Sequence, residues 1–142
     1  MKRTGLCILG ASIASAIALV TFAHAEPMAD ILIGKFKVTQ VVNSMYTLAD
    51  PNGRTIYTYA KDEPGKSTCV AACAEQWPPV LAIDADKAFD DFPIITRADG
   101  TRQWTYQNKP LYLSVKDTAA DQANGQGIDD AWSVVEIPAH DM

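Results

Sequence analysis

The chain has 142 residues, 48% of them apolar, with 17 acidic against 12 basic side chains and a net charge of −5. That length suits one domain with a real core, and the acidic balance argues against nucleic-acid binding and against attraction to anionic lipid. The chain holds two histidines, too few to pair with a cysteine in a blue-copper site once one leaves with a leader, and a poor start for a His-based triad.

In chain order the first element is a leader. Lys2 and Arg3 precede an uncharged stretch from Thr4 to Ala23, and Ala23-His24-Ala25 fits a small-x-small cleavage pattern. The apolar run from Leu6 to Phe22 has hydroxyl and small residues interleaved, so residues 1–25 read as a signal peptide rather than an anchor. Losing Lys2 and Arg3 takes the net charge from −5 to −7 for residues 26–142. Cys7 lies at the front of the apolar run, not at the cleavage point, so no lipid anchor is expected. Nothing further along is apolar enough to span a bilayer. The expectation is export to the periplasm, or secretion, by a bacterium, with no stable membrane insertion after cleavage.

The remainder alternates more than it turns with a helical period. Phe36 and Val38 alternate with Lys35, Lys37 and Thr39, which predicts a half-buried strand. Tyr46 and Leu48 predict a second, and Asp50-Pro51-Asn52-Gly53 a type I turn leading into Arg54–Ala60 as the return arm of a hairpin. Thr68–Gln76 predicts a short helix started by Ser67 or Thr68 and stopped before Pro78, and Ala85–Phe89 a further helical turn. A second hairpin is expected from Gln103–Tyr106, a turn at Gln107–Pro110, and Leu111–Val115, with Leu111, Leu113 and Val115 on one face. Trp132–Ile137 reads as a closing strand ended by Pro138. Glu26–Asp30 and Ala139–Met142 read as frayed ends.

The most specific feature is a duplication. Tyr57, Asp62, Trp77 and Val80 recur as Tyr112, Asp117, Trp132 and Val135, each 55 positions on and without a gap. Repeat one spans about 45–81 and repeat two about 100–136. Tyr57, Tyr59 and Asp62 match a Y-x-(F/W/Y)-x-x-D motif. Gly53-Arg54-Thr55-Ile56, Ser67, Cys69, Cys73 and Trp77-Pro78-Pro79 flank it. Asp99-Gly100, Gln103–Tyr106, Pro110-Leu111-Tyr112, Gly125-Gln126-Gly127 and Trp132 form the second copy. With these residues the chain resembles the family of secreted repeats, or predicted lipoproteins, carrying that YX4D motif. The resemblance runs from about Val38 to Val135 and implies fold and compartment but no activity. Two features depart from it: Ser114 stands where the family carries an aromatic residue, and the lipid-attachment cysteine is missing.

The residues themselves admit several chemistries. Tyr57 and Tyr112 suit equivalent core sites, with Asp62 and Asp117 accepting backbone N–H bonds in the turns that follow; alternatively two Tyr/Asp pairs flank one pseudo-symmetric site. Cys69 and Cys73, in a C-x₃-C spacing and an oxidising compartment, predict a local disulfide worth about 2 kcal/mol. A redox pair or a zinc site with His140 is the lesser reading. Trp77-Pro78-Pro79 reads as a buried ring with an extended exit, or else as an exposed docking motif. Asp117, Asp121, Asn124, Asp129 and Asp130 lie in a Gly-rich loop, and its aspartates are weak candidates for Ca²⁺.

The resulting expectation is a mainly β, single small domain of two fused hairpin-containing repeats, with one or two short helices and one local disulfide. It carries no catalytic constellation and calls for no cofactor, calcium aside. Its expected role is that of a non-enzymatic envelope module meeting an envelope protein or a small ligand, with redox or metal handling as the alternative.

Overall fold

Alternating apolar positions seed the first sheet of the computed structural model, which describes residues 31–42 and 45–138. The leader 1–25 with Cys7 and His24, Glu26–Asp30, and the stretch 139–142 with His140 lie outside the described residues. The elements run β1 (Ile31–Ile33), β2 (Phe36–Val42), β3 (Met45–Ala49), β4 (Tyr57–Tyr59), α1 (Ala72–Gln76), β5 (Ile94–Thr96), β6 (Arg102–Tyr106), β7 (Lys109–Pro110) and β8 (Trp132–Val134), with a tight 3₁₀ turn at Ile128–Asp130. They make three small antiparallel sheets, β1-β2-β3, β4-β8 and β5-β6-β7. The fold is therefore mainly β with one short helix, and Cys69 and Cys73 are joined by a disulfide with their Cα atoms 5.2 Å apart.

Local details differ from the sequence pattern for identifiable reasons. The turn at Asp50–Gly53 forms as expected: Gly53 N–H donates to the Asp50 carbonyl at 2.9 Å, and Asp50 Oδ1 accepts from Asn52 N at 2.8 Å and Arg54 N at 2.9 Å. The hairpin it begins is short. After Ile56 N–H donates to Leu48 O (2.9 Å), the chain leaves β3 and β4 pairs with β8 instead. In the second half the turn is only Gln107-Asn108, both at positive φ (48° and 63°), so the return strand starts at Lys109. Leu111 is buried, but Val115 is 44% exposed and Tyr112 is wholly buried. Tyr112 bridges both Tyr57 and Pro79 and is covered on both sides, which breaks the predicted alternation. Helix α1 starts four residues later than Thr68, because the Ser67 and Thr68 hydroxyls are engaged elsewhere and cap nothing. No helical turn forms at Ala85–Phe89; Asp86 N–H closes a turn on Ile83 O (3.0 Å) and Phe89 bridges Phe92. β1 and β5 lack a sequence signal strong enough to predict them.

The two halves are related by an internal two-fold that the backbone bonds trace pair by pair. Val80 N–H donates to Leu111 O at 2.9 Å, and its equivalent Val135 N–H donates to Ile56 O at 3.0 Å. Trp104 N–H donates to Val80 O and Leu48 N–H to Val135 O, both at 2.9 Å. Ala82 N–H to Arg102 O matches Ile137 N–H to Tyr46 O, again both at 2.9 Å. The offset is 55 beyond the turns (Ile56 and Leu111) but 56 before them (Leu48 and Trp104), since the first turn is one residue longer. The 56-residue offset reaches back to Phe36 and Phe92, and to Ile33 and Phe89, whose short hairpins turn through Gly34 (φ 60°) and Asp90 (φ 38°).

One core is built from these equivalent pairs: Phe36 with Phe92, Leu48 with Trp104, Ile56 with Leu111, and Val80 with Val135. The Phe36 and Phe92 rings stack with centroids 5.0 Å apart. Phe36 is 0% exposed, so Phe36→Ala is expected to lower unfolding free energy by about 3–5 kcal/mol, read as a lower urea midpoint at unchanged slope.

Candidate functional site

The second core lies on the two-fold and contains the repeated motif residues. Tyr57 and Tyr112 face each other across the axis: Tyr57 N–H donates to Tyr112 O at 2.8 Å, and Tyr112 N–H donates to Tyr57 O at 2.9 Å. Their side chains then cross between the halves. Tyr57 O–H donates to Asp117 Oδ2 at 2.6 Å, and Tyr112 O–H donates to Asp62 Oδ2 at 2.7 Å. Each aspartate uses its other oxygen to hold the loop that follows it. Asp62 Oδ1 accepts from Thr68 N (2.7 Å) and Thr68 Oγ1 (2.9 Å), and Asp117 Oδ1 accepts from Asn124 N (2.8 Å). The motif thus ties each tyrosine to the aspartate of the opposite repeat.

Both phenols are held protonated. Burial, and then the hydrogen bond to Asp117, push Tyr57 well above the ordinary tyrosine value; burial is also the main cause for Tyr112, with Ser67 opposing and Asp62 adding to it. At neutral pH both rings keep their protons, shared with the carboxylates they face.

The surroundings of the two phenols differ. Tyr57 O accepts from Gly125 N at 3.2 Å. A Cβ at Gly125 would lie 2.6 Å from Trp77 and 3.0 Å from the Tyr57 ring, so glycine is required there by close approach. Tyr112 instead ends a relay. Arg97 Nη1 donates to Ser67 Oγ at 2.7 Å, and Ser67 lies 2.6 Å from the Tyr112 oxygen. Because Tyr112 gives its proton to Asp62, Ser67 is the donor in that link. Arg97 is 7% exposed and also donates to Gln103 Oε1 (2.7 Å) and Cys69 O (2.9 Å). Its charge is thus connected to Asp62 through two hydroxyls rather than by a direct ion pair. Arg97 escapes sequence reasoning because its equivalent, position 41, is valine and gives no repeat signal.

Trp77 and Trp132 stack on each other across the axis, centroids 3.8 Å apart and planes 3° from parallel. Tyr57 meets Trp77 edge-on at 5.4 Å, and Tyr112 meets Trp132 edge-on at 5.2 Å. Tyr59 stacks on the remaining face of Trp132 at 4.2 Å. Trp77 is buried, so Trp77-Pro78-Pro79 is not an exposed docking motif. Pro78 O accepts from Leu113 N (2.8 Å) and Pro79 bridges Tyr112, which makes this stretch the counterpart of β8. Cys69 is fully buried in the same cluster.

The calcium candidates do not converge. Asp117 is 4% exposed and spent on Tyr57 and Asn124, while Asp121, Asp129 and Asp130 occupy separate turn positions at positive φ. Among the described residues no group of three His, Cys, Asp or Glu side chains is placed to hold a metal ion.

Beside the axis runs an open groove of about 620 Å³ between β4, β8 and the tip of the β6–β7 hairpin. Tyr59 and Tyr106 give it aromatic edges, Asp62, Glu63 and Glu136 give it negative charge, and Lys109 contributes one cation. The chain matches the family described as a secreted repeat of unknown function over residues 46–81 and 93–136. It belongs to that family of secreted repeats. The second match begins ahead of residue 100, in keeping with a structural equivalence that reaches back to Phe92. No curated protein and no solved structure shows significant similarity to this chain. Among the described residues no helix is long and apolar enough to cross a membrane.

Two outcomes test the crossed pairs. Their phenols share an ordinary value of 10.0. Below pH 10 both are protonated, folded or unfolded, and their contribution is complete. Above pH 10 the unfolded chain ionises first, so stability falls by about 1.4 kcal/mol per pH unit for each phenol until the folded values are passed. Absorbance at 295 nm should show two of the five tyrosines ionising only as the protein unfolds. Separately, Tyr57→Phe leaves the buried Asp117 carboxylate short of a donor and should cost about 1.5–3 kcal/mol. Tyr112→Phe should cost less, since Asp62 is half-buried and water can replace the phenol; equal losses in urea denaturation would contradict this account.

Proposed function

We propose that the protein is a non-enzymatic binding module, exported by residues 1–25 to the periplasm or beyond, whose groove takes a cationic ligand. The observation that carries this reading is the groove's composition. Among the described residues lining its roughly 620 Å³ there are three acidic side chains and one basic one, with two tyrosines to contact apolar stems. The charge of −7 left once the leader is removed favours the same class of partner over any nucleic acid. The ligand is either a small polycation or a lysine-bearing segment of an envelope protein. A catalytic reading has less in its favour, because the phenol–carboxylate pairs are committed to each other inside the fold. Redox exchange has less in its favour too, because Cys69 is fully buried.

The test is isothermal titration of the mature protein with spermidine and with a short lysine-containing peptide. Binding should weaken as salt rises, and Glu63→Gln with Glu136→Gln should reduce it roughly tenfold, about 1.4 kcal/mol. No heat with either probe, or affinity unchanged in the double variant, would refute the proposal.

A further inference from the structure

Each repeat gives its closing segment to the other. Val80 N–H donates to Leu111 O and Ala82 N–H to Arg102 O, so the end of repeat one lies beside the strands of repeat two. Conversely β8 pairs with β4, Val135 N–H donates to Ile56 O, and Ile137 N–H donates to Tyr46 O. An element that already crosses between halves can make the same contacts whichever copy of the chain supplies it. That is the condition for exchange between two copies.

The two closing segments are not held equally. The loop leading to the first is pinned by the Cys69–Cys73 disulfide and runs into α1. The positions 55 further on are Asn124 and Ile128, so no such bond closes the second loop. Its last turn is also strained. Asp129 and Asp130 follow one another at φ 53° and 51°, in the left-handed region, just ahead of β8. Their counterparts Ala74 and Glu75 lie in α1, neither at positive φ. Aspartate tolerates the left-handed conformation better than most residues, but it remains strained there relative to glycine. Upstream the loop is anchored, because Gly125 N–H donates to the Tyr57 phenol oxygen and the glycine lies against Trp77. The strain is therefore confined to the few residues between that anchor and Trp132.

We infer that residues 128–131 are a hinge through which two copies of this chain exchange residues 132–137. Extending the hinge lets β8 of each copy lie against β4 of the other. Trp132, Val134, Val135 and Ile137, none more than 5% exposed, are buried again in the second copy, and Gly127 N–H meets a Trp132 carbonyl as it does within one chain. The core contacts are conserved, the left-handed turn is released in both chains, and association follows concentration. Exchange rebuilds the groove from two chains and does not depend on what the groove binds.

The test is refolding of the mature protein from urea at low and at high concentration, followed by size exclusion with light scattering. The expected result is a dimer whose share rises with the concentration at refolding. Once formed it should outlast dilution, because returning the strand requires partial unfolding. Thr58 and Ser133 stand directly opposite each other in β4 and β8, so Thr58→Cys with Ser133→Cys reads the connectivity. On a non-reducing denaturing gel the new bond should join two chains in the dimer and close within one chain in the monomer. Asp129→Gly with Asp130→Gly relaxes the hinge of the monomer and should lower the dimer association constant roughly tenfold, about 1.4 kcal/mol. Asp129→Val, β-branched at positive φ, should raise it. If the valine variant fails to fold, the glycine pair still decides. Monomer alone at every concentration, a dimer whose engineered bond lies within each chain, or a dimer share indifferent to the hinge changes would each overturn the inference. Absence of spermidine binding would sink the groove and leave the exchange standing, and a strictly monomeric protein that binds spermidine would do the opposite.

Discussion

The structure depends on one reciprocal contact. Two short segments meet at Tyr57 and Tyr112, exchange both backbone hydrogen bonds, and send their phenols to carboxylates in the opposite repeat. Each phenol–carboxylate bond is a charge-assisted one, stronger than a neutral pair, and each carboxylate also fixes its own loop through Thr68 or Asn124. The contact therefore does three things together: it docks the halves, positions the loops, and buries two aromatic rings with their polar ends satisfied. The tryptophan pair on the axis then has a defined place to stack.

Around that symmetric centre the two halves differ at several positions, buried ones among them. Tyr59 extends the aromatic stack at one end, while its counterpart Ser114 adds no ring at the other. Arg97, opposite a valine position, adds a buried cation to one half, satisfied by Ser67, Gln103 and the Cys69 carbonyl. The disulfide follows the same asymmetry. Cys69 and Cys73 sit in the loop after the first aspartate, while the loop after the second uses Asn124 and Gly125 against Asp117 and Tyr57. One repeat closes its loop covalently and the other by hydrogen bonds and close packing.

Much of this architecture was legible in the sequence because a gapless duplication constrains side chains in register. Tyr57, Asp62, Trp77 and their partners announce that like residues occupy like places, and the structure puts them there. The first turn was readable because Asp50, Pro51 and Gly53 each have a local reason to be where they are. What the sequence did not show is what depends on partners distant along the chain. Nothing local tells that Tyr57 finds Asp117 rather than Asp62, since both choices satisfy the same groups. β4 leaves its hairpin after two residues because β8 competes for the same edge, a tertiary preference invisible to alternation. The short hairpin Phe89–Phe92 resembles a helical turn in composition, yet its role is to repeat Ile33–Phe36, whose equivalence lies at an offset of 56 and falls out of register with the motif. Ser114 was visible as a departure, but that its counterpart Tyr59 extends the tryptophan pair follows only from the stack.

The crossed bonds have a consequence for how such a protein comes to exist. In this fold each repeat's phenol is satisfied by the carboxylate of the other, so one unit by itself lacks the partners that hold its motif residues here. Two separate units could meet these needs only as an isologous dimer, at a population set by their concentration. Fusing them in tandem makes the encounter intramolecular and frees it from dilution. Fusion also removes the obligation to stay identical, because a change in one half is no longer imposed on the other.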